Sequence, residues 1–287
     1  MILAVFGGMY SGNLEQSSAI QFVYSSILIV VLLRTKKPVR KALIGLWLLS
    51  FISFTLILIL PYNRDRLEAS VSMYMPEFYA LSVKGKMFQG IVHLYSHLAR
   101  NVNLMLPFSF LLADNVIRGE KAEWKKLLSL FPLWYYMACF LVKTKAFWET
   151  TIVWLCDFSI YRFHGIEDWR YVAALILHTM VLGVELYLLV DLCKHMETKL
   201  VLFLFYGAGL FSAVILGFSP TMFASGNRVF LLFNLFWLLF IGILIYWRLE
   251  VIPTGKQQKM YAALWMIMLD LLICCQFYTI LRGIIIY

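Results

Sequence analysis

The sequence predicts an all-α protein, a polytopic transmembrane bundle of about eight helical spans. Three observations predict it. The chain is 62% hydrophobic with a mean hydropathy of +0.80, against roughly 45–50% apolar residues in soluble domains. Charged residues make up only 14% and fall between apolar runs instead of alternating with them. The runs themselves approach the ~20 residues that a helix needs to cross a bilayer.

Taken in order, the spans run over residues 17–33, 42–60, 89–112, 127–142, 171–193, 200–218, 229–247 and 262–281. Met1 to Met9 is apolar but too short to span. It lacks the basic start and small-residue cleavage site of a signal peptide. It reads as the tail end of a helix, which fits a chain that is the C-terminal part of a longer protein. No repeat or low-complexity linker divides 1–287, so it reads as one transmembrane domain.

The loops fall into two alternating sets. One set (34–41, 114–126, 194–199 and 248–260) packs most of the Lys and Arg into short segments, led by RTKKPVRK. The positive-inside rule puts it in the cytoplasm of a multi-pass cell-membrane protein. Both termini and the loops 61–86, 143–170 and 219–228 then lie outside. Within 143–170, AFWETTIVWLCDFSIYRF is aromatic-rich and carries Glu149 and Asp157. It reads as an interfacial helix at the outer surface.

The net charge of +9 is accounted for by these loops and is no nucleic-acid signature. Five cysteines show neither a CxxC pair nor metal-ligand spacing, so no disulfide framework, metal site or cofactor is expected.

A charge inside a span is costly and needs a reason. Arg100 lies about 17 Å into the third span, Glu185 in the fifth and Asp270 in the eighth. One base and two acids suggest a pairing. It is either a structural ion pair or a site that holds a charged ligand or moves protons. His93, His97 and Arg100 share a helix face at i, i+4 and i+7. Leu94 stands where a zincin needs Glu, so the stripe reads as the lining of a polar cavity with Arg100 at its floor. His178 and Glu185 are likewise seven apart.

Four polar motifs fall on the outer side. GNLEQ places Asn13 and Glu15 at the rim of the first span. PYNRDR follows the second span, with Pro61 read as its stop and Arg64 and Arg66 at the headgroup level. HLYSHLARN carries the histidine stripe. SPTMFASGNR joins the sixth and seventh spans through a turn that presents Arg228. Arginine offers a planar fork suited to phosphate. The plain alternative is that these arginines snorkel to lipid headgroups.

In this order Gly12-Asn13-Leu14-Glu15, Pro61-Tyr62-Asn63-Arg64-Asp65-Arg66 and Ser219-Pro220 with Arg228 resemble an uncharacterised bacterial family of polytopic proteins. That family is itself similar to membrane glycosyltransferases of the GT-C type, including glucosyltransferases that decorate surface polymers. The resemblance extends from the start of the chain to about the seventh span. It implies a polyprenyl-phosphate-linked sugar as donor, a surface-polymer acceptor and reaction at the outer face. It places phosphate on Arg228, Arg64 and Arg66, above a floor of Arg100 and His97. Tyr62 departs from the glycine usual in the second motif. The acidic catalyst of GT-C enzymes belongs to an outer loop upstream of this chain's start, which leaves Glu15 as the weak candidate base. Two other readings stay open: a transporter or flippase using Glu185 and Asp270, and a non-catalytic membrane subunit of a surface-polymer assembly system.

Overall fold

In the computed structural model the chain is all-helical, with no strand among the described residues. The structure describes residues 15–34, 36, 38–59, 61–119, 122–143, 169–220, 230–251 and 255–285, with some side chains within them left out. The expected interfacial helix over 143–170, the stub before Met9 and the loop 221–229 lie outside this set.

The α-helices are α1 (Glu15–Arg34), α2 (Lys41–Ile59), α3 (Pro61–Tyr74), α4 (Val83–Arg100), α5 (Val102–Gly119), α6 (Glu123–Lys143), α7 (Trp169–Asp191), α8 (Met196–Val214), α9 (Leu231–Val251) and α10 (Lys256–Ile285). Short 3-10 turns follow α3 (Pro76–Tyr79) and α8 (Ile215–Phe218). Three of the described helical stretches are long and apolar enough to cross a membrane: Val172–Asp191, Met196–Phe218 and Leu231–Val251. Less than half of each is buried. Their outward side chains include Ile176, Met180, Phe203, Phe211, Leu235 and Leu239. In water that surface would be costly; against lipid it is ordinary.

The core is built by α4 to α9. Phe108, Tyr206, Phe233, Trp237 and Phe240 form an aromatic cluster at its centre. The pair α1–α2 packs on the outside of α8. It is held by Phe22 against Trp47, Phe51 and Phe54, and by a bond from Trp47 Nε1 to Ser26 Oγ (2.7 Å). A small separate cluster of Val71, Met75 and Phe78 seats α3 on the Pro76–Tyr79 turn.

Two expectations are corrected. The run 89–112 is not one span. It breaks at Asn101, whose N–H closes α4 on His97 O (2.8 Å) and whose C=O opens α5 by accepting from Leu104 and Met105 (3.0 and 3.1 Å). One residue thus serves as the end of one helix and the start of the next, a position at which Asn is favoured. PYNRDR is not a loop after a helix stop. Pro61 is the first residue of α3, where its missing N–H costs nothing.

α4 packs on three helices near one end of the bundle. Gly90 meets Val214 at the end of α8, Tyr95 bonds Thr179 on α7 (2.7 Å), and His97 bonds Asn234 at the start of α9 (3.0 Å). Glu185 ties α7 to Tyr206 of α8 at one level. From there Thr179 and Val214 lie about 9 and 12 Å toward the same end, at 1.5 Å per residue. Asn234 lies about 4–5 Å toward that end from Trp237, which packs on Tyr206, so residues 90 to 97 step down the bundle as they pass from α8 to α7 to α9.

Two glycines make this seating. A Cβ on Gly90 would stand 2.1 Å from Val214 O, and one on Gly217 would stand 1.9 Å from Lys86 O. Backbone meets backbone there, so no side chain fits.

Candidate functional site

The polar groups of this end gather where α4 becomes α5. His97 is buried. Its Nε2 lies 3.0 Å from Asn234 Oδ1, and Asn101 Nδ2 donates to the same oxygen at 3.0 Å. Asn234 Oδ1 has two lone pairs and satisfies both donors. Asn101 Nδ2 also stands 3.3 Å from His97 Nε2. Phe230 covers the imidazole in a parallel stack, with ring centroids 3.7 Å apart, and also meets His93 at 4.8 Å. The expected stripe is therefore divided. His93 is half-buried, His97 is locked into the core, and Arg100 is exposed at the end of α4.

The first-turn N–H groups of an 18-residue helix begin just past Arg100. Such groups and their dipole favour an anion, and the guanidinium adds a fork of donors.

The stem of the loop 219–229 is fixed at the same end. The turn 215–218 packs against Lys86 and Gly90, and Phe230 packs on His93 and His97. Both ends of that loop are thus anchored along α4. Arg228 itself lies outside the described residues, as does Asn13. Glu15 opens α1, and Arg64 and Arg66 lie in the first two turns of α3, but their side chains are not described. α3 packs on α2 and on the Pro76–Tyr79 turn.

The expected pairing of Arg100 with Glu185 or Asp270 is not made. Glu185 is wholly buried and has Ser109 Oγ (3.0 Å, at Oε1) and Tyr206 OH (3.3 Å, at Oε2) within hydrogen-bond distance instead. Asp270 is exposed on α10. Arg100 lies at the surface at the end of α4, whereas Glu185 is inside the core. His178, one face-repeat before Glu185, is closed by Ala174 O at Nδ1 (2.7 Å) and by Tyr135 OH at Nε2 (2.6 Å). The carbonyl can only accept, so Nδ1 carries the proton and Nε2 accepts from Tyr135.

No group of three or more His, Cys, Asp or Glu able to hold a metal occurs among the described residues. Sequence reasoning missed Asn101, Asn234 and Phe230. Asn101 had a signal, as a capping residue six positions before Pro107; the other two had none. No family model, curated protein or solved structure matches the chain.

Proposed function

We propose that the chain is an integral membrane protein that recognises a lipid-linked phosphate at one end of its bundle. The activity class we assign is glycosyl transfer from a polyprenyl-phosphate sugar during modification of a cell-surface polymer. The observation that carries the reading is the α4–α5 break. It sets exposed Arg100 beside the N-terminus of α5, one turn from the His97–Phe230 stack. Arg228 is two residues from Phe230, a reach of at most about 7 Å along the chain. A phosphate held there would draw donors from two segments, and charge-assisted bonds are the strong ones. Transfer also needs a carboxylate to take the acceptor's proton. Glu15 remains the nominee.

Binding of polyprenyl phosphate to the full chain in lipid nanodiscs tests this. Arg100→Ala and Arg228→Ala should each weaken binding about tenfold or more, as losing a charged hydrogen bond does. Arg228→Lys should restore part, since a point charge replaces the fork incompletely. Arg162→Ala, the snorkelling control, should change little. Equal binding by all four variants would sink the site.

The same reading places this end, the loop 219–228 and both termini outside the cell membrane, because the basic loops gather at the other end. An impermeant thiol reagent on intact cells, with the native cysteines replaced, should label Ser225→Cys and spare Lys37→Cys. The reverse pattern would turn the protein over.

A second reading is favoured by one observation. A span region interrupted at Asn101, followed by helices carrying Pro107 and Pro132, is the kind of discontinuity found at transporter binding sites. In that reading an anionic solute is moved, and Arg100 is its counter-charge. Uptake of a labelled anion into proteoliposomes, absent in the binding-only case, separates the two.

A further inference from the structure

Glu185 lies about 9 Å up α7 from Asp191, inside the apolar stretch Val172–Asp191. It is 0% exposed. Among the described residues none of its bonding partners is cationic: Ser109 Oγ reaches Oε1 and Tyr206 OH reaches Oε2.

The Tyr206 hydroxyl decides the state of this carboxyl. It has one proton and two oxygens within reach, Leu182 O at 3.0 Å and Glu185 Oε2 at 3.3 Å. Leu182 O can only accept, and it is the nearer. With the tyrosine proton on that nearer oxygen, the contact to Oε2 is at best the weaker arm of a shared bond unless the carboxyl donates it.

Two further donors are buried in the same core. Tyr136 and Trp237 are both 0% exposed, and neither the Tyr136 hydroxyl nor Trp237 Nε1 has a hydrogen-bond partner among the described residues. The Trp237 ring packs on Tyr206, with centroids 5.1 Å apart. Tyr136 belongs to the same buried cluster as Tyr206 and Trp237. A buried donor left without an acceptor is costly and needs an explanation.

We propose that Glu185 is a proton-exchange site in the membrane core, with Tyr136 and Trp237 as the donors that receive its carboxylate. In the arrangement seen, the carboxyl holds its proton and donates to Tyr206. On release the O–H bond at Oε2 breaks and the electron pair stays on the carboxylate. The proton ends on bulk water, which reaches this wholly buried carboxyl through local opening of the bundle. Small turns of the Tyr136 hydroxyl and the Trp237 ring then give the new charge two more donors beside Ser109 and Tyr206.

The other titratable groups in the surrounding core are Tyr135 and Cys139 on α6 and Tyr95 on α4, and His178 lies about two turns away on the same helix as Glu185. α5 contributes Ser109 and α9 contributes Trp237. The proposal stands apart from the phosphate site and survives that site's failure.

An apolar carbodiimide attacks protonated carboxyls in apolar surroundings and tests the site in the full chain. Peptide mass analysis over a pH series should find the adduct on Glu185, falling as pH rises, and absent in Glu185→Gln. Tyr136→Phe keeps the ring and removes the donor. It should raise the pH of half-labelling by about one unit, a tenfold shift. Trp237→Phe repeats the test at the second donor. An unlabelled Glu185 in folded protein overturns the proton assignment. An unshifted half-labelling pH in both variants overturns the role of the donors. The infrared carboxyl band lost between wild type and Glu185→Gln reads the proton without either of them.

Discussion

The two ends of the bundle are held by different chemistry. At one end the helices are tied by ion pairs. Asp114 meets Arg118 at 2.6 Å within α5 and lies 2.9 Å from Arg248 Nε of α9, though the Nε–H is not aligned for a hydrogen bond. Lys125 of α6 meets Asp191 of α7 at 2.7 Å. At the other end α4 is held by glycine contacts, neutral amides and stacked rings. The ionic end spends its charges on itself. At the α4 end, among the described residues, the bonds join neutral side chains, His97 and Asn101 to Asn234, and Arg100 lies at the surface. A membrane protein that must stay closed on one side and meet a ligand on the other would divide its charges in this way.

The largest effect that sharpens this contrast is expected at Gly217. Gly217→Val pushes a side chain into Lys86 O, which cannot yield as a flexible side chain would. We expect a loss of ~3 kcal/mol or more, read as loss of folded, monodisperse protein in detergent. A stable Gly217→Val would mean that α4 is not clamped. A smaller effect is expected at the ionic end. Arg248 is 7% exposed, and its removal leaves Asp114 with Arg118 alone. Arg248→Ala should cost about 2 kcal/mol, below the 3–5 of a fully buried pair. Lys125→Ala should cost less than about 1 kcal/mol and fade in high salt, because that pair is partly exposed. If salt weakens the Gly217 clamp as much as the Lys125 pair, the division between the ends is false.

Much of the helical framework was legible. The runs 171–193, 200–218 and 229–247 match α7, α8 with its turn, and α9 to within a few residues, because apolar length is a local property. The break at Asn101 was not legible, since apolar residues continue on both sides and hydropathy does not see a cap. Pro61 was misread because proline ends one helix and begins another by the same geometry. The His97 site was half legible. Its helix face followed from spacing, but its partner Asn234 is 137 residues away and no local pattern announces it. Glu185 was rightly singled out as a buried charge needing a partner. Its partners proved to be hydroxyls, with Arg100 at the surface at the end of α4.

The glycine clamp also sets an order of events during synthesis. α4 leaves the ribosome long before α8, the turn 215–218 and α9, which together form its seat. Until they arrive its C-terminal half, buried at every position from Leu94 to Ala99, has only α5, α6 and α7 to pack against, and His97 lacks Asn234. α4 therefore takes its place late, as the piece that closes the assembly. A chain arrested before residue 196 would lack both glycine contacts and leave that amphipathic helix half-seated, as a ready target for quality-control proteases.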